Sequence, residues 1–247
     1  MFETEPSPRE PIFNVPAAVV AVLAILVLVH IARMLISPDD DVWLIWAAAF
    51  VPARYGLGGD QMPGGETALF TSPFTHMFLH GDWVHLALNS AWLLVFGGAI
   101  AERAGTLRFL LFATVCGLAG ALAFYAMNEN LLQPVIGASG AISGLLGGTL
   151  RFLFPAVDSG GFRQIREAPR SVRLMSLGET LTDRRVIVTS AVLVLINVLT
   201  IIGFGGAQNA GGIAWEAHLG GYAIGILTYG LFDNVSTYEV ETQSDND

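Results

Sequence analysis

Six stretches of this 247-residue chain are apolar and long enough to suggest transmembrane helices. One such helix takes about 20 mainly apolar residues. The six stretches are residues 16–36, 83–101, 107–127, 139–155, 185–204 and 214–232. Backbone polar groups in lipid must be hydrogen-bonded within the protein, which restricts each stretch to an α-helix. Only 13% of the residues are charged, against roughly a quarter in soluble proteins. The sequence therefore predicts an all-α, polytopic membrane helix bundle.

These stretches define one membrane domain over residues 16–233, with a short tail on each side. Residues 1–15 are polar and contain prolines, and residues 234–247 are acidic without a pattern that would build a core. Both tails are therefore expected to be flexible. The first stretch lacks the small-residue cleavage site of a secretory signal, so we expect it to remain as a helix.

The arginines predict how the bundle is oriented, because cytoplasmic loops carry an excess of positive side chains. The chain contains no lysine. Ten arginines lie in the N-terminal tail or around the links between spans two and three and between spans four and five: Arg9, Arg103, Arg108, Arg151, Arg163, Arg166, Arg170, Arg173, Arg184 and Arg185. Only Arg33 and Arg54 lie on the opposite face. Both termini are therefore predicted to be cytoplasmic.

Three links between spans have distinct compositions. In the first link, residues 42–50 are apolar and aromatic but too short to span, which predicts a helix lying in the membrane interface. The glycine-rich residues 56–65 that follow predict irregular backbone. The arginine-rich link 156–184 is either a plain topology determinant or a contact with anionic lipid headgroups. Residues 203–212 contain five glycines and no charge, which suggests a mobile extracytoplasmic cap.

Gly137-Ala138-Ser139-Gly140 stands at the start of the fourth stretch. A serine at a helix N-terminus lies beside unpaired backbone N–H groups, which can stabilise a developing oxyanion. However, glycines recur every fourth residue from Gly140 to Gly148, and small residues at this spacing let membrane helices pack closely. Ser139 alone is therefore compatible with either a catalytic or a packing role.

A histidine stands near the start of the sixth stretch, in the string Ala217-His218-Leu219-Gly220-Gly221. Alone, His218 could be a hydrogen-bonded structural residue or part of a proton path. Gly221 and Gly225 have the same small-residue spacing as the glycines after Ser139, so the two helices are expected to pack together. That packing would place His218 beside Ser139 as its general base.

The second stretch contributes His85 and Asn89, which lie on one helix face because they are four residues apart. Both side chains can donate hydrogen bonds, as an oxyanion hole requires, although they could instead bond to neighbouring helices. His76 and His80 have the same spacing and could be metal ligands. A zinc protease, however, has an acid after the first histidine, and position 77 is Met77. We therefore predict neither a metal site nor a cofactor.

Together, the motifs at residues 85–89, 137–140 and 217–225 resemble the rhomboid family of intramembrane serine proteases, and the resemblance covers residues 66–232. It implies a Ser139–His218 dyad without a third carboxylate. It also implies an oxyanion hole formed by His85, Asn89 and the backbone N–H of Ser139. Substrates would be transmembrane proteins cut near their extracytoplasmic ends, with membrane lipids as the other partners and no nucleic acid.

The same resemblance implies that residues 42–54 form a membrane-embedded first loop and that residues 203–212 cover the active site. The chain departs from the pattern at Ser143, where many members have an aromatic residue that packs on the histidine. We expect Ser143 to hold His218 by a hydrogen bond instead. Residues 70–74 also lack the Trp-Arg pair that some members carry.

Other function classes are less compatible with the sequence. An inactive rhomboid-like protein that binds transmembrane helices is the alternative, although both dyad residues are present. A transporter is disfavoured, because the sequence lacks the paired broken helices and repeat symmetry that are typical of transporters. No predicted span contains an aspartate, which excludes an aspartyl intramembrane protease, and the serine lacks the strand–turn–helix context of an α/β-hydrolase. The abundance of Ala, Gly and Arg without Lys favours a bacterial plasma membrane.

Overall fold

The computed structural model describes residues 15–56, 58–159, 168–201 and 214–234. In that part of the chain the regular elements are helices, which confirms the all-α prediction there. The helices are α1 (Ala17–Met34), α2 (Pro38–Ala48), α3 (Gly65–Thr75), α4 (Trp83–Ala104), α5 (Thr106–Met127), α6 (Ser139–Ser159), α7 (Leu177–Thr182), α8 (Arg184–Ile201) and α9 (Trp215–Phe232). Helix α4 includes a π-helical turn at Leu93–Gly97.

Among the described residues, α1, α4, α5 and α6 are long and apolar enough to cross a membrane. They coincide with the first four predicted stretches. Helices α8 and α9 have 18 residues each and occupy the fifth and sixth stretches. The chain therefore has the helical architecture of a multi-pass membrane protein.

Two helices continue past the ends of the predicted apolar stretches. Helix α4 ends at Ala104 rather than at residue 101, and α6 ends at Ser159 rather than at residue 155. The arginines near these ends are buried and paired. Arg103 donates two hydrogen bonds of 2.8 Å to the Asp233 carboxylate, and Arg151 donates one of 2.8 Å to the Met175 carbonyl. A paired guanidinium interrupts the apolar pattern without ending the helix.

The most extensive helix packing joins α6 to α9, with α5 against both. Glycines allow this close approach. A Cβ atom built on Gly144 would lie 2.9 Å from the Gly221 carbonyl oxygen, and one on Gly225 would lie 2.6 Å from the Gly144 Cα atom. Real Cβ contacts are not this short, so the two helices meet backbone to backbone. The predicted packing of the fourth span against the sixth is confirmed.

The first link contains the expected short amphiphilic helix, but it begins earlier than residue 42. Helix α2 begins at Pro38 because the Ser37 hydroxyl accepts a 3.2 Å hydrogen bond from the Asp40 amide, and acidic side chains in the first turn favour a helix N-terminus. After α2, Phe50 and Val135 exchange backbone hydrogen bonds of 3.0 and 2.8 Å. This bridge ties the first link to the loop before Ser139.

The glycine-rich part of the first link is irregular, as predicted. Gly58, Gly64 and Gly65 have positive φ angles. The irregular segment ends there, because the next residues form α3, a helix that the sequence analysis did not predict. The predicted cap at 203–212 and most of both tails lie outside the described residues.

Candidate active site

Ser139 is the first residue of α6. The chain enters the helix through Gly137, whose φ of +117° is disfavoured for any residue with a side chain. A Cβ atom on Gly137 would also lie 2.8 Å from Nε2 of His85. The Gly137 amide donates a 2.9 Å hydrogen bond to the His76 carbonyl. Glycine at this position therefore lets the loop pass directly over the His85 ring.

His218 lies in the first turn of α9, and its ring contacts Ser139. The distance between Nε2 of His218 and Oγ of Ser139 is 2.8 Å. Gly221, one turn further along α9, faces the α6 backbone beside Gly140. The close packing of α6 on α9 thus brings together the two residues that the sequence analysis paired.

A third polar residue completes this cluster. Asn197 of α8 is 2% exposed, and its Oδ1 lies 2.9 Å from Nδ1 of His218. Sequence analysis missed Asn197, although a single asparagine within an apolar stretch is a signal of function. The sequence predicts a hydrogen bond between Ser143 and His218. That prediction is wrong, because the two ring nitrogens of His218 contact Ser139 and Asn197.

His85 and Asn89 lie on α4, facing the loop before Ser139. The Gly81 amide donates a long 3.4 Å hydrogen bond to Nδ1 of His85. Since Nδ1 accepts, the ring proton of the neutral histidine is on Nε2, which faces Gly137. The Asn89 Nδ2 atom lies 3.8 Å from the position of a Cβ atom on Gly137. Two hydrogen-bond donors therefore converge on the segment next to Ser139.

The other two histidines of this region support the loop. Nδ1 of His76 donates a 3.1 Å hydrogen bond to the Ser72 carbonyl, which can only accept. The His80 ring packs edge-on against His85, with ring centroids 5.0 Å apart. Among the described residues, no group of three or more His, Cys, Asp or Glu side chains could hold a metal ion.

The start of α4 is fixed by Asp82, the residue before the helix. Its carboxylate accepts a 2.8 Å hydrogen bond from the His85 amide, which is the N-cap arrangement. This hydrogen bond lowers the pKa of Asp82 below its ordinary value. Because the capped amide belongs to His85, the cap also fixes the turn that carries the His85 ring.

Replacing Asp82 with alanine should lower the free energy of unfolding by about 1 kcal/mol, because the cap is lost. Asp82→Asn keeps a capping oxygen but not the charge, so its stability at neutral pH should lie between those of the other two proteins and should not fall at acidic pH. Since folding lowers the pKa of Asp82, the cap's ionic contribution is present at neutral pH and is lost as the pH falls through that lowered pKa. Thermal unfolding in detergent at neutral and acidic pH measures both effects. Equal stability of all three proteins at neutral pH would contradict the cap.

Comparisons with known proteins agree on one family. The family model described as the Rhomboid domain matches residues 69–232 of this chain. RHOMBOID-like protein 4 of Arabidopsis thaliana is 32% identical over 151 residues, which is 61% of this chain and 31% of that protein. Putative rhomboid protease YdcA of Bacillus subtilis (strain 168) is 38% identical over 73 residues, or 30% of this chain and 36% of that protein. Rhomboid protease GluP of the same strain is 38% identical over 76 residues, which is 31% of this chain and 14% of that protein. The matched segments thus cover between 14% and 36% of the length of these relatives.

Proposed function

Because the chain belongs to the rhomboid family, we propose that it is an intramembrane serine endopeptidase with Ser139 as nucleophile and His218 as general base. The observation that carries the proposal is the 2.8 Å contact between Oγ of Ser139 and Nε2 of His218. A hydroxyl within hydrogen-bond reach of an imidazole nitrogen is the arrangement that activates a serine. Two of the relatives are named rhomboid proteases, which supports a protease family.

In the first half of the reaction, Oγ of Ser139 attacks the carbonyl carbon of the scissile peptide bond. The hydroxyl proton passes to Nε2 of His218 as the Oγ–C bond forms, which leaves a tetrahedral oxyanion. The C–N bond then breaks, and His218 returns the proton to the leaving amine. The product of this half is an acyl-enzyme ester on Ser139.

In the second half, a water molecule attacks the ester carbonyl and gives a proton to His218. The C–Oγ bond breaks, the proton returns to Ser139, and the second fragment leaves with a new carboxyl group. Before the first attack, the substrate must be locally unwound, because a peptide carbonyl in an intact helix is already hydrogen-bonded. Helix-weakening residues such as glycine are expected near the cleaved bond.

The oxyanion would be held by His85, Asn89 and the backbone N–H of Ser139. Two observations support this assignment. Nδ1 of His85 accepts a hydrogen bond from the Gly81 amide while Nε2 faces the Gly137 loop, and the Asn89 amide lies beside that loop. Donors fixed before the reaction stabilise the transition state without reorganisation.

Replacing His85 or Asn89 with alanine should each lower kcat by about 100- to 1000-fold, since one oxyanion donor contributes about 3 kcal/mol to transition-state stabilisation. The KM for a reporter substrate should change little, because the oxyanion forms only during the reaction. Ser90→Ala, on the same helix next to Asn89, serves as the matched control. Steady-state cleavage rates of the folded proteins measure this effect. An unchanged kcat in both His85→Ala and Asn89→Ala would rule out the proposed oxyanion hole.

We also propose six spans, α1, α4, α5, α6, α8 and α9, with both termini in the cytoplasm of a bacterial cell. The C-terminal end of α9 supports this orientation, because Asp233 accepts hydrogen bonds from Arg103 and Arg108. This arginine-rich end is opposite to the end of α9 that carries His218. The positive-inside rule then places the Ser139–His218 pair near the extracytoplasmic face.

Purified full-length protein in liposomes, supplied with a reporter that has one transmembrane segment, tests this function. We expect two fragments, with mass spectrometry placing the cut near the extracytoplasmic end of that segment. If the reporter co-purifies with the protein but stays intact, the chain is an inactive helix-binding relative. A cut at the cytoplasmic end would overturn the proposed orientation.

A further inference from the structure

Asn197 is the polar side chain that α8 presents to the His218 ring. Burying an amide in an apolar environment costs free energy unless its donors and acceptors are bonded. Asn197 is bonded on both sides, although it is 2% exposed. Its Nδ2 donates a 2.8 Å hydrogen bond to the Leu193 carbonyl, and its Oδ1 contacts Nδ1 of His218 at 2.9 Å.

The Leu193 carbonyl fixes the orientation of this amide. A carbonyl oxygen can only accept a hydrogen bond, so the side-chain atom 2.8 Å away must be the NH₂ group of Asn197. Turning the amide over would place two oxygens in that contact. The Asn197 oxygen therefore faces His218 and can only accept.

This orientation also fixes the tautomer of His218. Since Oδ1 of Asn197 accepts, Nδ1 of His218 carries the proton and donates it. In the neutral ring the lone pair is then on Nε2, the nitrogen that lies 2.8 Å from Oγ of Ser139. Only this tautomer can take the Ser139 proton.

We propose that Asn197 is the positioning residue of the active site, holding His218 in the tautomer and ring orientation that activate Ser139. The inference rests on the proposed function and extends the expected dyad to a Ser139–His218–Asn197 triad. Asparagine takes the third place in some cysteine proteases, where it orients the histidine without contributing a charge. Here it does the work that the sequence analysis had given to Ser143.

A second polar contact between α8 and α9 provides a matched control. The hydroxyl groups of Ser190 and Tyr222 lie 2.6 Å apart, two helical turns before Asn197 along α8. This contact joins the same two helices and does not involve His218. Ser190→Ala therefore removes a bond between α8 and α9 but leaves the Asn197–His218 pair in place.

The test measures how fast a fluorophosphonate modifies Ser139, per folded molecule in detergent, because this small reagent reports the reactivity of the serine without substrate binding. Asn197→Leu should slow modification by about 10- to 100-fold, the size of effect seen when the partner that orients a metal-bound histidine is removed. Asn197→Asp keeps the oxygen that accepts from Nδ1 of His218 and should therefore react faster than Asn197→Leu. Its second oxygen faces the Leu193 carbonyl, so it should unfold at a lower temperature than the wild-type protein. Ser190→Ala should react at the wild-type rate.

Thermal unfolding of the same variants separates positioning from stability. Leucine has a similar size and needs no hydrogen bond, so Asn197→Leu should stay folded while its reaction slows. In the reporter assay its kcat should fall at unchanged KM. A wild-type modification rate in Asn197→Leu would overturn the inference and leave the proposed function intact. A loss of rate in Ser190→Ala equal to that in Asn197→Leu would have the same consequence. Failure of the wild-type protein to react would instead overturn the proposed function.

Discussion

Replacing Ser139 with alanine is expected to abolish reporter cleavage, and replacing His218 with alanine should do the same. Each change should lower turnover by roughly 10⁵- to 10⁶-fold, as in serine proteases of other folds. The reason is that a serine hydroxyl without a base is a poor nucleophile, and a base without the hydroxyl has nothing to activate. Both variants remove a few atoms from the start of a helix, so the folded protein should persist in the membrane.

The double variant sharpens this prediction. If the two residues act as one unit, Ser139→Ala combined with His218→Ala should be no less active than either single variant. Ser143→Ala, one turn further along α6, is the matched control and should cleave the reporter normally. Cleavage that survives in folded Ser139→Ala protein would show that another residue is the nucleophile.

Replacing Gly221 with valine is the second large expected effect. A Cβ atom at this position would lie 2.8 Å from the Gly140 carbonyl carbon and would meet the carbonyl oxygen at a still shorter distance. A helix backbone cannot yield as a flexible side chain can, so α6 and α9 must separate. Overpacking of this kind costs about 1–3 kcal/mol of stability.

The same separation should inactivate the protein, because Gly140 follows Ser139 and Gly221 lies one turn after His218. A displacement of about 1 Å between reacting groups can cost about 100-fold in rate. Gly98→Ala is the matched control, since nothing lies within 4 Å of a Cβ atom there. Thermal unfolding and cleavage should both fall in Gly221→Val and neither in Gly98→Ala. Unimpaired cleavage in folded Gly221→Val would contradict the packing argument.

The pairing of Ser139 with His218 could be predicted because one pattern served two purposes. Glycines at four-residue spacing bring helices together, and the same spacing fixed which faces of α6 and α9 meet. Side chains next to those glycines must then be neighbours. The helix positions were predictable for a different reason, because a long apolar stretch in lipid has few alternatives to an α-helix.

Asn197 could not be paired with His218 on the same grounds. Helix α8 has no glycine pattern in its described residues that would indicate its facing helix. A single asparagine reveals that a partner exists, but not which helix carries it. Ser143 lies one turn after Ser139 on α6, but the ring nitrogens of His218 contact Asn197 and Ser139 instead.

The exact ends of some helices and the presence of α3 in the first link could not be predicted from the sequence. The charge on Arg103 favours an end of the second span, because its partner Asp233 lies 130 residues away in sequence. Helix α3 contains Pro73 and follows two glycines with positive φ angles, so its local pattern argued against a helix. Contacts with distant parts of the chain decide such segments.

The site of fluorophosphonate modification tests directly whether His218 activates Ser139 as a nucleophile. Membranes containing the wild-type protein would be treated with the reagent and digested, and the peptides analysed by mass spectrometry. We predict an adduct on Ser139 in the wild-type protein and its loss in His218→Ala. A folded wild-type protein with no adduct on Ser139, or equal modification in His218→Ala, would contradict the claim.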